Sequence, residues 1–144
     1  MNLPATLLVL FVILFHGAIF LIEVFFWMSP GVHEIALRRL ADPVGLDLQA
    51  QAAVLRTTFV NLGFYNLFLA CAGIAGLALL RRGEVAVGQT LIFYMCLSAV
   101  GAGVVLLAST QAYLGALLQA FPAAVAIALM VRDGQPATSV VAGR

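Results

Sequence analysis

The sequence predicts an all-α, polytopic membrane protein with four transmembrane helices in one bundle, plus a surface helix and an extended start to helix 2 between the first two spans. Composition is the first reason: 64% of the 144 residues are hydrophobic and 9% charged, where soluble domains carry roughly a quarter charged. The second is that the apolar residues fall into four runs, each long enough for a helix to cross about 30 Å of hydrocarbon. The third is that short polar breaks separate them with no repeat period, so no inverted-repeat transporter is signalled. One domain is expected over residues 1–131, with spans at about 3–28, 57–80, 89–108 and 113–131, and a flexible polar tail over 132–144.

Helix 1, Leu3 to Met28, would reach about 39 Å at 1.5 Å per residue, enough to cross with tilt. It has no basic leader and its apolar run exceeds a signal peptide's, so it is expected to be retained. Ser29-Pro30-Gly31 ends it. The following stretch, HEIALRRLADPVGLDLQAQ, predicts a short amphipathic helix on the membrane surface, with Ile35, Leu37 and Leu40 as its stripe and Pro43 and Gly45 as its break. Helix 2 is expected from about Leu46 to Leu80, entering lipid near Thr57. Arg81-Arg82-Gly83 turns the chain into helix 3, Gln89 to Ala108, whose Ser98, Ala99, Ala102 and Gly103 supply the small-residue spacing of close helix contacts. Helix 4 is Tyr113 to Val131, and the tail DGQPATSVVAGR is too polar and small to bury a core.

All seven basic residues are arginines. Arg81, Arg82, Arg132 and Arg144 share a side with both termini, against Arg38, Arg39 and Arg56, a slight bias toward cytoplasmic termini in a multi-pass protein of a bacterial inner membrane. The absence of a basic run or aromatic-interleaved patch excludes nucleic acid as a partner. Cys71 and Cys96 lie in apolar runs and are expected to be packing residues. Neither a disulfide, a metal site nor a cofactor is signalled. Beyond the lipid bilayer, a small ligand and a homo-oligomer are both compatible with the sequence.

Candidate site residues are polar groups inside the spans, where they are costly and default to function. At about 100° per residue, His16, Glu23 and Trp27 fall on one face of helix 1. Asn61 and Tyr65 share a face of helix 2 and Asn66 points elsewhere. Gln119 precedes Pro122, which removes an N–H from helix 4 and should kink it. Counted from the span ends, Glu23 and Asn61 lie roughly 7.5 Å deep, and His16, Tyr65, Asn66 and Gln119 lie in the same half of the bilayer. Each has a plainer explanation beside the functional one: Trp27 as an aromatic-belt residue, and Asn66, Ser98 and Gln119 as interhelical glue. With no Arg or Lys inside a span to pair with it, Glu23 is expected to be protonated unless His16 or a bound cation neutralises it.

The runs H-x6-E-x3-W (His16, Glu23, Trp27), N-x-G-x-Y-N-x-F-L-A (Asn61, Gly63, Tyr65, Asn66, Phe68, Leu69, Ala70) and Q-x-x-P-A (Gln119, Pro122, Ala123) resemble the domain of unknown function 1304 family, small membrane proteins of bacteria and fungi. The similarity covers roughly residues 5 to 131, departs at Leu62 and Leu67 where Gln and Gly are expected, and is loose in helix 3. It implies four transmembrane helices and an unassigned function.

Three functions remain open at this level. One is a pocket that binds or moves a small lipophilic or cationic molecule, with Glu23 as counter-charge and Phe20, Trp27 and Tyr65 as walls. Another is a membrane enzyme, isomerase-like, in which Glu23 and His16 move a proton on a lipid or isoprenoid. The third is an accessory or assembly protein whose polar residues lock the bundle.

Overall fold

The structure, a computed structural model, describes residues 1–40 and 45–134. All its regular elements are helical: α1 (Leu3–Leu21), a π-helical turn (Ile22–Phe26), α2 (Pro30–Leu40), α3 (Leu48–Arg81), α4 (Val85–Ser109) and α5 (Tyr113–Gly134). Four helices are long and apolar enough to cross a membrane: α1 continued through the π turn, α3, α4 and α5. This is the architecture of a multi-pass membrane protein.

The helix ends follow their local chemistry. Asn2 caps α1 by accepting from the Ala5 amide at 2.9 Å, with Pro4 in the first turn, where its missing N–H costs nothing. Asp47 caps α3 in the same way through the Ala50 amide at 2.8 Å. Gly83, at φ 87°, ends the α3–α4 connection in the left-handed region that glycine enters freely. At 34 residues α3 is about 51 Å long, so its first turns extend beyond the hydrocarbon.

Several boundaries differ from those expected. The first span closes at Phe26 in a π turn rather than running as α-helix to Met28, and Pro30 opens α2 directly. In α2 the side turned to the bundle is His33 and Leu37, both buried, while Ile35 is exposed. The last helix continues to Gly134, past the expected end at Val131. The break expected at Pro43 and the tail from residue 135 onward lie outside the described residues.

The four long helices form a ring in which α1 packs on α3 and α5, and α4 packs on α3 and α5. The half of the ring holding the α3–α4 turn is filled by buried apolar side chains. Val9, Val12 and Ile13 of α1, Ala70 of α3, Ile92, Met95, Cys96 and Ala99 of α4, and Ala123 and Ala126 of α5 form one core there. Small residues set its spacing: a Cβ on Gly76 would stand 2.9 Å from the Gly88 carbonyl. Toward the other end Gly103 lies against Ala116 and Ala120 of α5. A second, smaller core of Trp27, Leu37 and Ala52 fixes α2 to the protruding start of α3.

Candidate functional site

In the half of the bundle that α2 covers, the helices surround a cavity of about 590 Å³. Helix α1 lines it with Phe15 and Ile19 and the π turn with Glu23. Helix α3 contributes Leu62, Tyr65, Asn66 and Leu69, α4 contributes Ala102 and Leu106, and the start of α5 contributes Ala112, Gly115 and Gln119. Its roof is α2, through Ile35, Ala36, Arg39 and Leu40. The far end of that roof is fixed by the Gln111 amide, which donates to the Arg39 carbonyl at 2.9 Å and ties α2 to the α4–α5 connection.

Glu23 stands in the π turn. Such a turn accommodates one extra residue relative to an α-helical turn, so everything after it is rotated out of the α-helical register. That is the physical reason the expected stripe of His16, Glu23 and Trp27 divides. Glu23 lines the cavity, whereas Trp27 turns toward α3, stacks on Phe59 at 3.6 Å between ring centroids, and donates its indole N–H to the Ala52 carbonyl at 2.9 Å. His16, two turns earlier, is fully buried and does not line the cavity; its Nδ1 donates to the Val12 carbonyl at 2.8 Å and its Nε2 has no partner among the described residues. An acid and base pair of Glu23 with His16 is therefore not assembled in one cavity.

Across from the π turn, Asn66 donates one amide hydrogen to Glu23 Oε2 at 3.0 Å and one to the Leu62 carbonyl at 3.1 Å. The approach of the two elements depends on Gly63, where a Cβ would stand 2.6 Å from Val24 Cγ2 and 3.2 Å from the Glu23 Cβ. Asn66 rather than Asn61 is thus the partner of the carboxyl. Asn61 is exposed and outside the cavity lining, while Tyr65 lines it with Asn66. Gln119 reaches the same cavity, one turn before Pro122, and α5 continues as helix through that proline. Of the aromatic walls expected, Tyr65 is one, Phe15 takes a place not foreseen, and Phe20 and Trp27 pack elsewhere.

Arg39 entered the sequence reading only as an orientation charge. The signal that would have placed it is the i, i+4 spacing of Ile35 and Arg39, which puts both on one side of α2.

The double hydrogen bonding of Asn66 makes a definite stability prediction. Glu23→Ala is expected to cost no more than about 1 kcal/mol, because Asn66 keeps the Leu62 carbonyl and its freed hydrogen borders a cavity. Glu23→Gln, whose amide oxygen still accepts from Asn66, should melt with wild type in detergent. A loss above about 3 kcal/mol in the alanine variant would show that the carboxyl instead holds the bundle together.

Fold and cavity together define a class: a four-span membrane protein whose bundle is filled by side chains in one half and holds a mostly apolar cavity with a few polar groups in the other. The family model for a protein of unknown function, DUF1304, matches residues 10–131. That is most of the chain, and the protein belongs to the DUF1304 family. No curated protein and no solved structure matches it.

Proposed function

We propose that the protein binds, or moves within the membrane, a small lipophilic molecule held in the cavity beneath α2. The observation that carries this is the cavity itself: at about 590 Å³ it falls in the range of small-molecule sites. Its walls are mostly apolar, with a few convergent polar groups in Glu23, Tyr65, Asn66 and Gln119. Tyr65 and Gln119 make no side-chain hydrogen bond among the described residues, so their polar atoms are free for a guest. If these residues served only to lock the bundle they would pair with one another, as Asn66 and Glu23 do. On this reading both termini face the cytoplasm of a bacterial inner membrane, and the cavity lies toward the opposite surface.

The test is mass spectrometry of small molecules extracted from the purified protein, wild type against Ala102→Phe. Ala102 lines the cavity wall and is exposed, so a phenyl ring there is expected to occupy cavity space. A lipophilic species is expected with wild type and about tenfold less of it with the variant, a loss of about 1.4 kcal/mol in affinity. Equal amounts from two proteins that melt alike would overturn the proposal.

A further inference from the structure

We infer that the guest is a single-chain anionic amphiphile, its carboxylate or phosphate held by Arg39 at the α2 end and its chain running inward between Phe15, Ile19 and Leu69; this rests on the cavity being a binding site. Arg39 stands on α2, outside the spans, yet lines the cavity. Its guanidinium makes no hydrogen bond or ion pair among the described residues. A guanidinium is a planar fork of donors that matches carboxylate and phosphate oxygens in pairs. Among the described residues nothing fills that fork, and its helix is held in place by the Gln111 amide on the Arg39 carbonyl.

Charge counting favours an anion over a cation. Among the described residues the charged side chains lining the cavity are Glu23 and Arg39. With Glu23 protonated the lining carries one positive charge, and with Glu23 ionised it is neutral, so in neither state is it net negative. Glu23 is also engaged by Asn66, whereas the Arg39 guanidinium has no partner among the described residues. The rest of the wall is apolar, which a free inorganic anion cannot use and an acyl chain can.

The experiment measures binding of hexadecanoate, hexadecyl phosphate, hexadecanol and hexadecyltrimethylammonium to the full-length protein in a nonionic detergent, by thermal shift and by competition. Acetate and inorganic phosphate serve as chainless controls. Both anions are expected to bind about tenfold or more tighter than the alcohol, the ammonium most weakly, and the chainless anions not at all. Arg39→Gln should bring the anions to parity with the alcohol. Arg38→Gln, the neighbouring charge that does not line the cavity, should leave the preference intact.

Equal binding of alcohol and anion by wild type, or equal losses in the two arginine variants, would overturn the anionic assignment while leaving the cavity a binding site. Binding of acetate or phosphate alone would overturn the amphiphile. If none of the four chains binds, the proposed function fails and this inference with it.

Discussion

Gly88→Ala is expected to lower stability by about 2–3 kcal/mol, although it adds a single methyl group to a helix. The Cβ would stand 2.8 Å from the Gly76 carbonyl oxygen and 3.0 Å from the Leu80 amide nitrogen. The Leu80 Cγ, at 2.9 Å, is a third obstacle; the other two are backbone and cannot swing aside, so α3 and α4 must separate. Separation would loosen Ile92, Met95 and Cys96 in the main core. Between helices in lipid, where no hydrophobic force drives association, such van der Waals packing is a leading source of stability. Gly76→Ala meets the same crossing from the other side, 2.9 Å from the Gly88 carbonyl. The two losses should therefore be non-additive: once the helices have moved apart, the second methyl costs less than it does alone. Gly101→Ala is the control, with nothing within 4 Å of its Cβ; helix propensity should make it neutral or stabilising by up to about 1 kcal/mol. Thermal melts of the four variants in one detergent check the set. A Gly88→Ala protein that melts with wild type would mean that α3 and α4 do not cross this closely.

The depth of the polar groups was legible in the sequence, and their faces were not. Depth needs only a count of residues from each span end, and that count puts Glu23 and Asn61 roughly 7.5 Å deep and His16, Tyr65, Asn66 and Gln119 in the same half; His16 and Asn61 lie outside the cavity lining, which leaves Glu23, Tyr65, Asn66 and Gln119. All four line one cavity. Facing needs a constant angle per residue, and the π turn at Ile22–Phe26 breaks that constancy beside Glu23. Nothing in IEVFF announces a π turn, and the close approach of α3 to it at Gly63 is likewise visible only in the folded chain. The same limit applies to α3, since a helix wheel ranks its faces without saying which one meets α1: Asn61 and Tyr65 share a face, yet Asn66 is the amide that reaches Glu23. Arg39 was missed for a different reason. In a chain this apolar, a charge on a connecting helix looks like a marker of orientation, and only the folding of α2 back over the bundle end brings the exposed Arg39 to the cavity wall.

Trp27→Ala is expected to have the other large effect, about 3–5 kcal/mol, and to reach the cavity without touching it. Trp27 is 2% exposed, lies nearly parallel to Phe59 at 13°, and donates to the Ala52 carbonyl. Truncation removes the stack, the hydrogen bond and the centre of the small core that also contains Leu37. Leu37 is the α2 residue whose burial there holds the helix against α3. Losing that core leaves α2 attached chiefly through His33 and the Gln111 amide, so the roof carrying Ile35 and Arg39 should come loose. Hydrogen exchange followed by mass spectrometry is the measurement. Amides over residues 30–40 and 48–56 should exchange faster in Trp27→Ala, while those of α4 beside the main core stay protected, because that core shares no residue with the smaller one. Trp27→Phe separates the two contributions: it keeps an aromatic face for Phe59 and loses the indole donor, for a cost of about 1 kcal/mol, with α2 still protected. If Arg39 binds an anion only when α2 is seated, Trp27→Ala should also lose the preference of hexadecanoate over hexadecanol, and Trp27→Phe should retain it. Faster exchange spread evenly over all four spans would instead mean that the two halves of the bundle unfold as one unit.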